Sequence, residues 1–328
     1  VNATPQHALT VYGEPAKYPA GFSHFDYTNP QAPKGGTMRR SAIEIGHFDH
    51  ILPYIDKGIG VTQIDGMLYS PLAQRSMDEP YTVYGLVAQK MERSEDGLSL
   101  RFFINPKARF ADGKPITAED VRYTYDLLMT QGSLRYRTQF ADVKGVEVES
   151  PRVVRFDFKN NENRTLALDI ATLPVFPEHW WKTRDFANGG GYEAPLGSGP
   201  YKVANVQAGR SIRYERVKDY WGKDLPVNRG FYNFDTMTTD YYRDNTVAVE
   251  ALKAGQFDYW LEMTAKNWAN AYNIPAVTEG RLIKEQIANS NPTGMQGFVF
   301  NLRRPVFQDV RVRQALGLLF DFEWTNKQ

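Results

Sequence analysis

The sequence predicts an α/β protein with mixed β-sheets, and three observations lead to that prediction. Two pairs of runs that alternate apolar and polar residues are each joined by a short turn, which is typical of β-hairpins. Other strand-like runs are followed by segments with helical spacing of apolar residues. The 328 residues are 42% hydrophobic, which is enough to build a sizeable core in two or three lobes. This order favours mixed sheets over a uniform array of parallel strands.

Two strands and one helix are predicted in the first third of the chain. Residues 37–45 alternate as a strand does, and residues 99–105 form a second strand-like run before a Gly-containing turn. Between them, residues 59–74 carry apolar residues close to helical spacing and predict a helix. The residues of that apolar stripe are Val61, Ile64, Leu68 and Leu72.

The clearest helix start in the sequence is at Thr117. Its hydroxyl can accept a hydrogen bond from the free N–H groups of the first turn. Glu119 and Asp120 add negative charge at the positive end of the helix dipole. The helix is predicted to end at Gly132, within a Gln-Gly-Ser sequence.

The chain after residue 144 is predicted to contain two hairpins, two further strands and two further helices. The hairpins are residues 145–150 with 152–158 and residues 201–207 with 211–217. A helix, a Gly stop at Gly255 and a strand follow within residues 245–260. A strand over residues 297–303 and an amphipathic helix over residues 309–324, capped by Asp309, complete the prediction.

Composition excludes several classes of function. The 39 basic and 38 acidic residues nearly balance without a block of like charge, so we predict no nucleic-acid or membrane-surface partner. The absence of cysteine excludes thiol catalysis, thiolate metal sites and disulfides. No apolar run reaches about 18 residues, so no membrane-spanning segment is predicted. The chain begins at Val1 without a signal peptide, and we expect that one was removed during export.

A search for catalytic and metal-binding motifs finds none that is complete. The Gly-rich loop over residues 187–200 leads into Pro200 and a strand rather than a helix, which argues against a phosphate-binding loop. His47 and His50 lie near Asp49, but a metal site needs three or four convergent ligands. Ser198 lacks the G-x-S-x-G context of a nucleophile elbow. We therefore predict a binding protein without enzymatic activity, cofactor or metal, and keep a secreted hydrolase as the alternative.

Four segments together resemble the extracellular solute-binding proteins of the oligopeptide, dipeptide and nickel importer family. They are RFADGKPITAEDVRYTYDLL (109–128), GSGPYKV (197–203) with RVKDYWG (216–222), ALKAGQFDY (251–259) and FNLRRPVFQDVRVRQALGLLFD (300–321). Four further segments resemble the YejA-type branch of that family, which is linked to uptake of peptides and of the peptide-nucleotide antibiotic microcin C. These are residues 22–37, 173–181, 225–236 and 320–324.

The resemblance implies a periplasmic binding protein-like fold of type II, with two α/β lobes joined by a hinge. The first lobe would consist of residues 1–44 and 165–290, with residues 45–164 as an inserted subdomain. Residues 291–328 would begin the second lobe, because relatives continue well beyond the equivalent of Gln328. We therefore expect a complete first lobe and a second lobe that is mostly missing.

The resemblance also implies the function. Such a protein binds peptides or peptide-like compounds in the periplasm, closes its two lobes around them and delivers them to an inner-membrane ABC permease. A sugar or a metal chelate is the alternative cargo for the same fold.

By alignment with the family, nine residues are predicted to face the ligand. They are Glu44, His47, Phe48, Tyr136, Arg137, Glu262, Met263, Gln296 and Phe298. Glu44 or Glu262 is expected to pair with a peptide ammonium, and Arg137 with a carboxylate. Ordinary surface charge is the alternative interpretation for each of them.

One prediction concerns residues 309–320 of the last predicted helix. Their apolar face is expected to pack on a neighbouring molecule, on a second chain that supplies the missing lobe, or on the first lobe, because so short a helix depends on packing. Half a cleft encloses a peptide poorly, so we expect this chain to bind peptide more weakly than an intact relative. Calorimetry on both proteins with the same peptide pool checks this, and equal affinities would contradict lobe closure.

Overall fold

The computed structural model describes residues 4–43 and 45–327. The chain divides into two compact units, Val1–Trp260 and Leu261–Gln328. All the strands formed by the described residues lie in the first unit. The domain boundaries implied by the family resemblance stay predictions.

Eleven strands form among the described residues, in three sheets. In chain order they are β1 (Ala8–Thr10), β2 (Thr37–Ser41), β3 (Ala73–Arg75), β4 (Thr82–Gly85), β5 (Ala88–Arg93), β6 (Ser99–Ile104), β7 (Val143–Ser150), β8 (Val153–Phe158), β9 (Tyr201–Gln207), β10 (Ser211–Arg216) and β11 (Thr236–Asp240). The strand orders are β1-β4-β3, β2-β11-β10-β9 and β5-β6-β8-β7.

Ten α-helices form among the described residues, and α1 is the longest of them. In chain order they are α1 (Ala118–Gln131), α2 (Leu134–Gln139), α3 (Leu166–Ala171), α4 (Glu178–Trp181), α5 (Asn245–Lys253), α6 (Ala265–Asn270), α7 (Pro275–Thr278), α8 (Pro305–Gln308), α9 (Val310–Gly317) and α10 (Phe322–Lys327). A 3₁₀ turn covers Phe186–Asn188.

One sheet combines both strand directions, which confirms the predicted α/β class with mixed sheets. β2 pairs with β11 in parallel, with Met38 opposite Met237, whereas β10 pairs antiparallel with both β9 and β11. The other two sheets are antiparallel. β2 and β11 are far apart in sequence, so this parallel pair joins distant parts of the first unit.

The helix predicted from Thr117 is confirmed, including both of its ends. The Thr117 hydroxyl accepts a hydrogen bond from Asp120 N at 3.4 Å, and the Asp120 carboxylate accepts one from Thr117 N at 2.9 Å. This reciprocal capping box satisfies two N–H groups that a helix start leaves free. α1 ends at Gly132, whose N–H donates to Leu128 O. The two predicted hairpins are also confirmed, as β7–β8 and β9–β10.

The helix predicted over residues 59–74 is wrong. The four residues of its apolar stripe are buried, but the segment is irregular until β3 begins. Two residues in left-handed backbone conformation, Gln63 with φ 60° and Gly66 with φ 73°, interrupt any helical path. A Cβ on Gly60 would lie 2.4 Å from Leu52 O, so this segment is held against neighbouring backbone instead.

Three predictions for the later part of the chain need correction. The strand predicted after Gly255 is reduced to one parallel bridge, between Arg40 and Tyr259. Residues 297–303 form no strand, because no partner strand lies among the described residues of the second unit. The single helix predicted over residues 309–324 is two, α9 and α10, although Asp309 does cap the first by accepting from Arg311 N at 2.9 Å.

Candidate functional site

The first candidate site lies where the parallel strands β2 and β11 end. Ser41 pairs with Asp240 as the last residue of each strand, and Ala42 N donates to Asp240 O at 2.9 Å just beyond them. Ligands of open α/β sheets bind beyond the carboxyl ends of parallel strands, because side chains and backbone groups converge there. We call this edge, residues 41–43 and 45–48 with 240–243, the strand-end site.

Asp240 supplies an unpaired carboxylate to the strand-end site. It is half-buried, and this burial raises the pKa of its carboxyl, an effect that the nearby Arg39 partly opposes. Arg39 itself pairs with Asp258 at 2.8 Å. The Asp240 side chain makes no hydrogen bond or ion pair with any residue in the described ranges 4–43 and 45–327. A half-buried carboxylate in this state is suited to accept an ammonium group from a ligand.

Aromatic side chains lie at the strand ends on the face opposite to Asp240, because Tyr241 follows Asp240 and side chains alternate along a strand. The Phe48 ring is buried, with its centroid 4.7 Å from that of Tyr241 and 5.8 Å from that of Tyr192. Tyr241 is fixed in turn, because its hydroxyl accepts a hydrogen bond from Thr62 N at 3.0 Å. A Cβ on Gly46 would lie 2.8 Å from Arg243 O, so only glycine lets the two segments approach this closely.

A buried cation lies on the same face of the strands as Tyr241, opposite to Asp240. Arg40 Nε donates to Thr239 Oγ1 at 2.8 Å, and Nη2 donates to Gln63 O at 2.7 Å. Burial lowers the pKa of the Arg40 guanidinium. Arg40 forms no ion pair with a carboxylate in the part of the chain that the structure describes. Its hydrogen bond to Gln63 O instead helps to hold Gln63 in a left-handed conformation, and this conformation sets the path of the segment that leads away from the site.

The second candidate site is a solvent-open cavity of about 450 Å³, which we call the tyrosine crevice. Buried aromatic side chains form its floor: Tyr54, Tyr69, Tyr136 and Phe140. Four charged side chains lie around its rim: Asp65, Arg75, Arg135 and Asp169. The volume is within the range of small-molecule sites, and the lining combines an apolar floor with polar groups that could orient a ligand.

The predicted site residues of the first unit lie in different places. Phe48 and Tyr136 belong to the strand-end site and the tyrosine crevice, respectively. His47 is exposed, with Nε2 3.7 Å from Asp49 Oδ1. Arg137 Nη1 donates to Met129 O at 3.2 Å and to Gly132 O at 3.3 Å, and so stabilises the end of α1. Its neighbour Arg135, which was not among the predicted residues, lines the crevice.

The remaining predicted residues lie in the second unit or outside the described residues. Glu262 Oε1 accepts from Thr264 N at 2.9 Å, and Oε2 accepts from the Tyr272 hydroxyl. Met263, Gln296 and Phe298 are exposed. Glu44 lies outside the described residues. The nine residues therefore stay predictions for ligand binding.

Asp240 and Arg135 are among the charged site residues that the sequence did not predict. Asp240 ends a polar strand, TMTTD, that carries no apolar alternation to mark it. Arg135 and Arg137 flank Tyr136 within one helical turn, and nothing in their spacing shows which of the two faces a cavity.

The histidines next to the strand-end site serve local structure. His50 is buried, and its Nε2 is 2.7 Å from Lys57 O. Within residues 4–43 and 45–327, no group of three His, Asp or Glu side chains is placed to hold a metal ion. No helix in that described part of the chain has the length and hydropathy needed to cross a membrane.

Comparisons with known proteins identify the family. The family model for the middle part of bacterial extracellular solute-binding proteins, family 5, matches residues 82–328. YejA of Escherichia coli K12 is 43% identical over 323 residues, covering 98% of this chain and 52% of YejA. The peptidoglycan-binding protein YepA of Agrobacterium fabrum C58 is 38% identical over 340 residues, covering 99% of this chain and 55% of YepA. This chain thus spans about half the length of the curated relatives it matches.

A solved structure agrees with this assignment. The oligopeptide-binding protein AppA from Bacillus subtilis, in complex with a nonapeptide, superposes with a TM-score of 0.60 at 25% identity. The match covers 74% of this chain and 47% of AppA. The chain therefore belongs to family 5 of the bacterial extracellular solute-binding proteins, in its YejA-like branch, and has their type II periplasmic binding protein fold.

Proposed function

We propose that this chain supplies the first-lobe wall of a cleft that binds peptides or peptide-like solutes in the periplasm. Closure of a second lobe would enclose the ligand, and the closed form would deliver it to an inner-membrane ABC permease. A microcin C-type peptide-nucleotide is one cargo within this class. Membership of a family of binding proteins supports this over a hydrolase.

The cargo class rests on the relatives together with the strand-end site. AppA is described with a bound nonapeptide, and YepA is named for binding peptidoglycan, which contains peptide. In this chain the observation that carries the proposal is the unpaired, half-buried Asp240 carboxylate at the ends of β2 and β11. A peptide laid along these ends could place its ammonium on Asp240 and a side chain against the ring of Tyr242, whose pKa is raised by burial and by the nearby Asp240 carboxylate.

The nine predicted residues are part of this proposal to different degrees. Phe48 and His47 lie within the strand-end site as defined above. Glu44 stays a predicted ligand contact. For Arg137 and Glu262, a ligand contact would have to replace or share the hydrogen bonds these side chains already make.

The Asp240→Asn substitution is expected to weaken binding of free-ammonium peptides about tenfold, the equivalent of about 1.4 kcal/mol. Binding by the unaltered chain should weaken as the pH falls through the raised pKa of Asp240, because the protonated carboxyl no longer attracts an ammonium. The asparagine variant should lose that pH dependence. Isothermal calorimetry with an oligopeptide pool and with the same pool N-acetylated measures both effects.

Asp219→Asn is the matched control, because the Asp219 side chain is 88% exposed and the residue is not part of the strand-end site. It should bind both pools as the unaltered chain does. If Asp240→Asn binds the free pool unchanged, Asp240 is not the ammonium site. If mass spectrometry of co-purifying material finds a sugar or a metal chelate and no peptide, the peptide cargo is wrong and the alternative cargo stands.

A further inference from the structure

We propose that the tyrosine crevice is a second binding site, which takes a small zwitterion with an apolar or aromatic side chain, such as a dipeptide. It does not depend on the peptide cleft proposed above, because all its lining residues belong to other parts of the first unit. The segment from Thr62 to Gly66 leads from one site to the other. Thr62 bonds to Tyr241 at the strand ends, whereas Asp65 and Gly66 line the crevice.

The floor of the crevice is rigid and aromatic. Tyr54, Tyr69 and Tyr136 are 6%, 3% and 4% exposed, so each is fixed by packing while one edge lines the cavity. Trp181 Nε1 donates to the Tyr69 hydroxyl at 3.1 Å, which holds that ring from behind. Rigid aromatic surfaces lose little entropy on binding and favour flat or apolar ligand groups.

Two opposite charges on the rim are without ion-pair partners. The Arg135 guanidinium lies 4.8 Å from the Tyr136 ring centroid, and its Nη2 donates to the Tyr136 hydroxyl at 2.9 Å. Asp65 is close enough to affect the pKa of both Tyr54 and Tyr136, as Arg135 also does. Yet among the described residues neither Asp65 nor Arg135 forms an ion pair with the other or with a third residue.

The other two rim charges are already matched. Arg75 Nη2 lies 3.4 Å from Asp169 Oδ1, so this pair has no net charge to offer. The free charges are then one carboxylate and one guanidinium that face one cavity but are too far apart to pair. A ligand that carries an ammonium and a carboxylate matches both at once, whereas a purely anionic or cationic ligand matches one and is repelled by the other.

The dipeptide Ala-Phe is the probe, and the Trp181 indole is the reporter. In ¹⁵N-labelled protein, the Trp181 indole N–H resonance is assigned by its loss in Trp181→Phe. We expect Ala-Phe to shift it, since that N–H contacts the crevice floor through Tyr69. Ligand at the strand-end site alone should leave the Trp181 resonance in place, so failure of this proposal is distinguishable from failure of the peptide cleft.

Substitutions on the rim test the two charges separately. Arg135→Gln should weaken Ala-Phe binding at least tenfold without weakening Ala-Phe-amide binding, because the amide has no carboxylate for Arg135 to bind. Asp65→Asn should weaken Ala-Phe binding at least tenfold without weakening N-acetyl-Ala-Phe binding, because the acetylated peptide has no ammonium for Asp65 to bind. Arg135→Lys keeps the positive charge and should retain most of the affinity, which shows that loss in Arg135→Gln does not arise from misfolding.

Arg122→Gln is the matched control, because Arg122 is an exposed arginine on α1 whose partner is Glu119 at 2.7 Å. It should bind Ala-Phe normally. The proposal is overturned if millimolar Ala-Phe leaves the Trp181 resonance unmoved. An equal loss of affinity for Ala-Phe and for Ala-Phe-amide in Arg135→Gln would also overturn it, since the guanidinium would then not be binding the ligand carboxylate.

Discussion

Replacing Gly199 with alanine is expected to destabilise the first unit by about 3 kcal/mol. A Cβ at this position would lie 2.2 Å from Met67 O and 2.8 Å from Leu68 C, which are backbone atoms that no side-chain rotation can move. Gly199 N also donates to Leu68 O at 2.9 Å, so moving the chain away breaks that bond. Urea unfolding followed by tryptophan fluorescence measures the loss.

Gly145→Ala is the control for that measurement. Gly145 lies in β7, and a Cβ there would meet nothing within 4 Å, so its substitution should change stability by less than about 0.5 kcal/mol. Should Gly199→Ala keep full stability but lose peptide binding, the GSGPYKV segment would contact ligand instead of serving the scaffold.

The family motifs were predictable from sequence because they encode local structure. In the first motif, the Thr117 and Asp120 side chains cap a helix three residues apart, so both partners are visible in one short segment. The second motif contains Gly199, whose need for glycine comes from contact with residues 67–68. The resemblance located it, but only the structure shows the reason.

The helix prediction over residues 59–74 was wrong for the same reason: the contacts that decide the conformation are made by residues far away in the sequence. Apolar spacing reported correctly which residues are buried there: Val61 and Leu72 are 0% and 1% exposed. It could not report that Thr62 and Gln63 bond to Tyr241 and Arg40, and that these contacts hold an irregular backbone. Apolar periodicity predicts which residues are buried, whereas the backbone conformation of this segment is set by hydrogen-bond partners elsewhere in the sequence.

The strand-end site was beyond prediction from residues alone for a related reason. It exists because Thr37 in β2 pairs with Thr236 in β11, about 200 residues later, and no local sequence pattern predicts which distant strand will be the parallel partner. The family resemblance placed a site near Glu44 and Phe48. It did not select Asp240, which becomes notable only once its half-burial and lack of a partner are known.

A buried aromatic cluster around Phe176 connects the core to the tyrosine crevice. Phe176 is 0% exposed. Its ring centroid lies 5.2 Å from that of Tyr54 and 5.0 Å from that of Tyr69, both of which line the crevice. On its other sides it contacts Trp181 and Phe186, at 6.3 and 5.5 Å. Most of these rings meet edge to face, an arrangement that adds to the gain from burial alone.

The Phe176→Ala substitution is therefore expected to cost about 4 kcal/mol, because it removes a fully buried ring and leaves a cavity that rigid neighbours cannot fill. Phe176→Leu should cost about 1 kcal/mol, since it restores much of the volume. Phe234→Ala is the control: its side chain is 40% exposed, and the loss should stay below about 1 kcal/mol. Urea unfolding gives the three values.

In the absence of urea, where Phe176→Ala remains folded, Ala-Phe binding to the tyrosine crevice should also weaken, because Tyr54 and Tyr69 lose the ring that fixes them. Unchanged stability in Phe176→Ala would show that the cluster can repack, and the crevice floor would then not be the rigid surface that the second-site proposal requires.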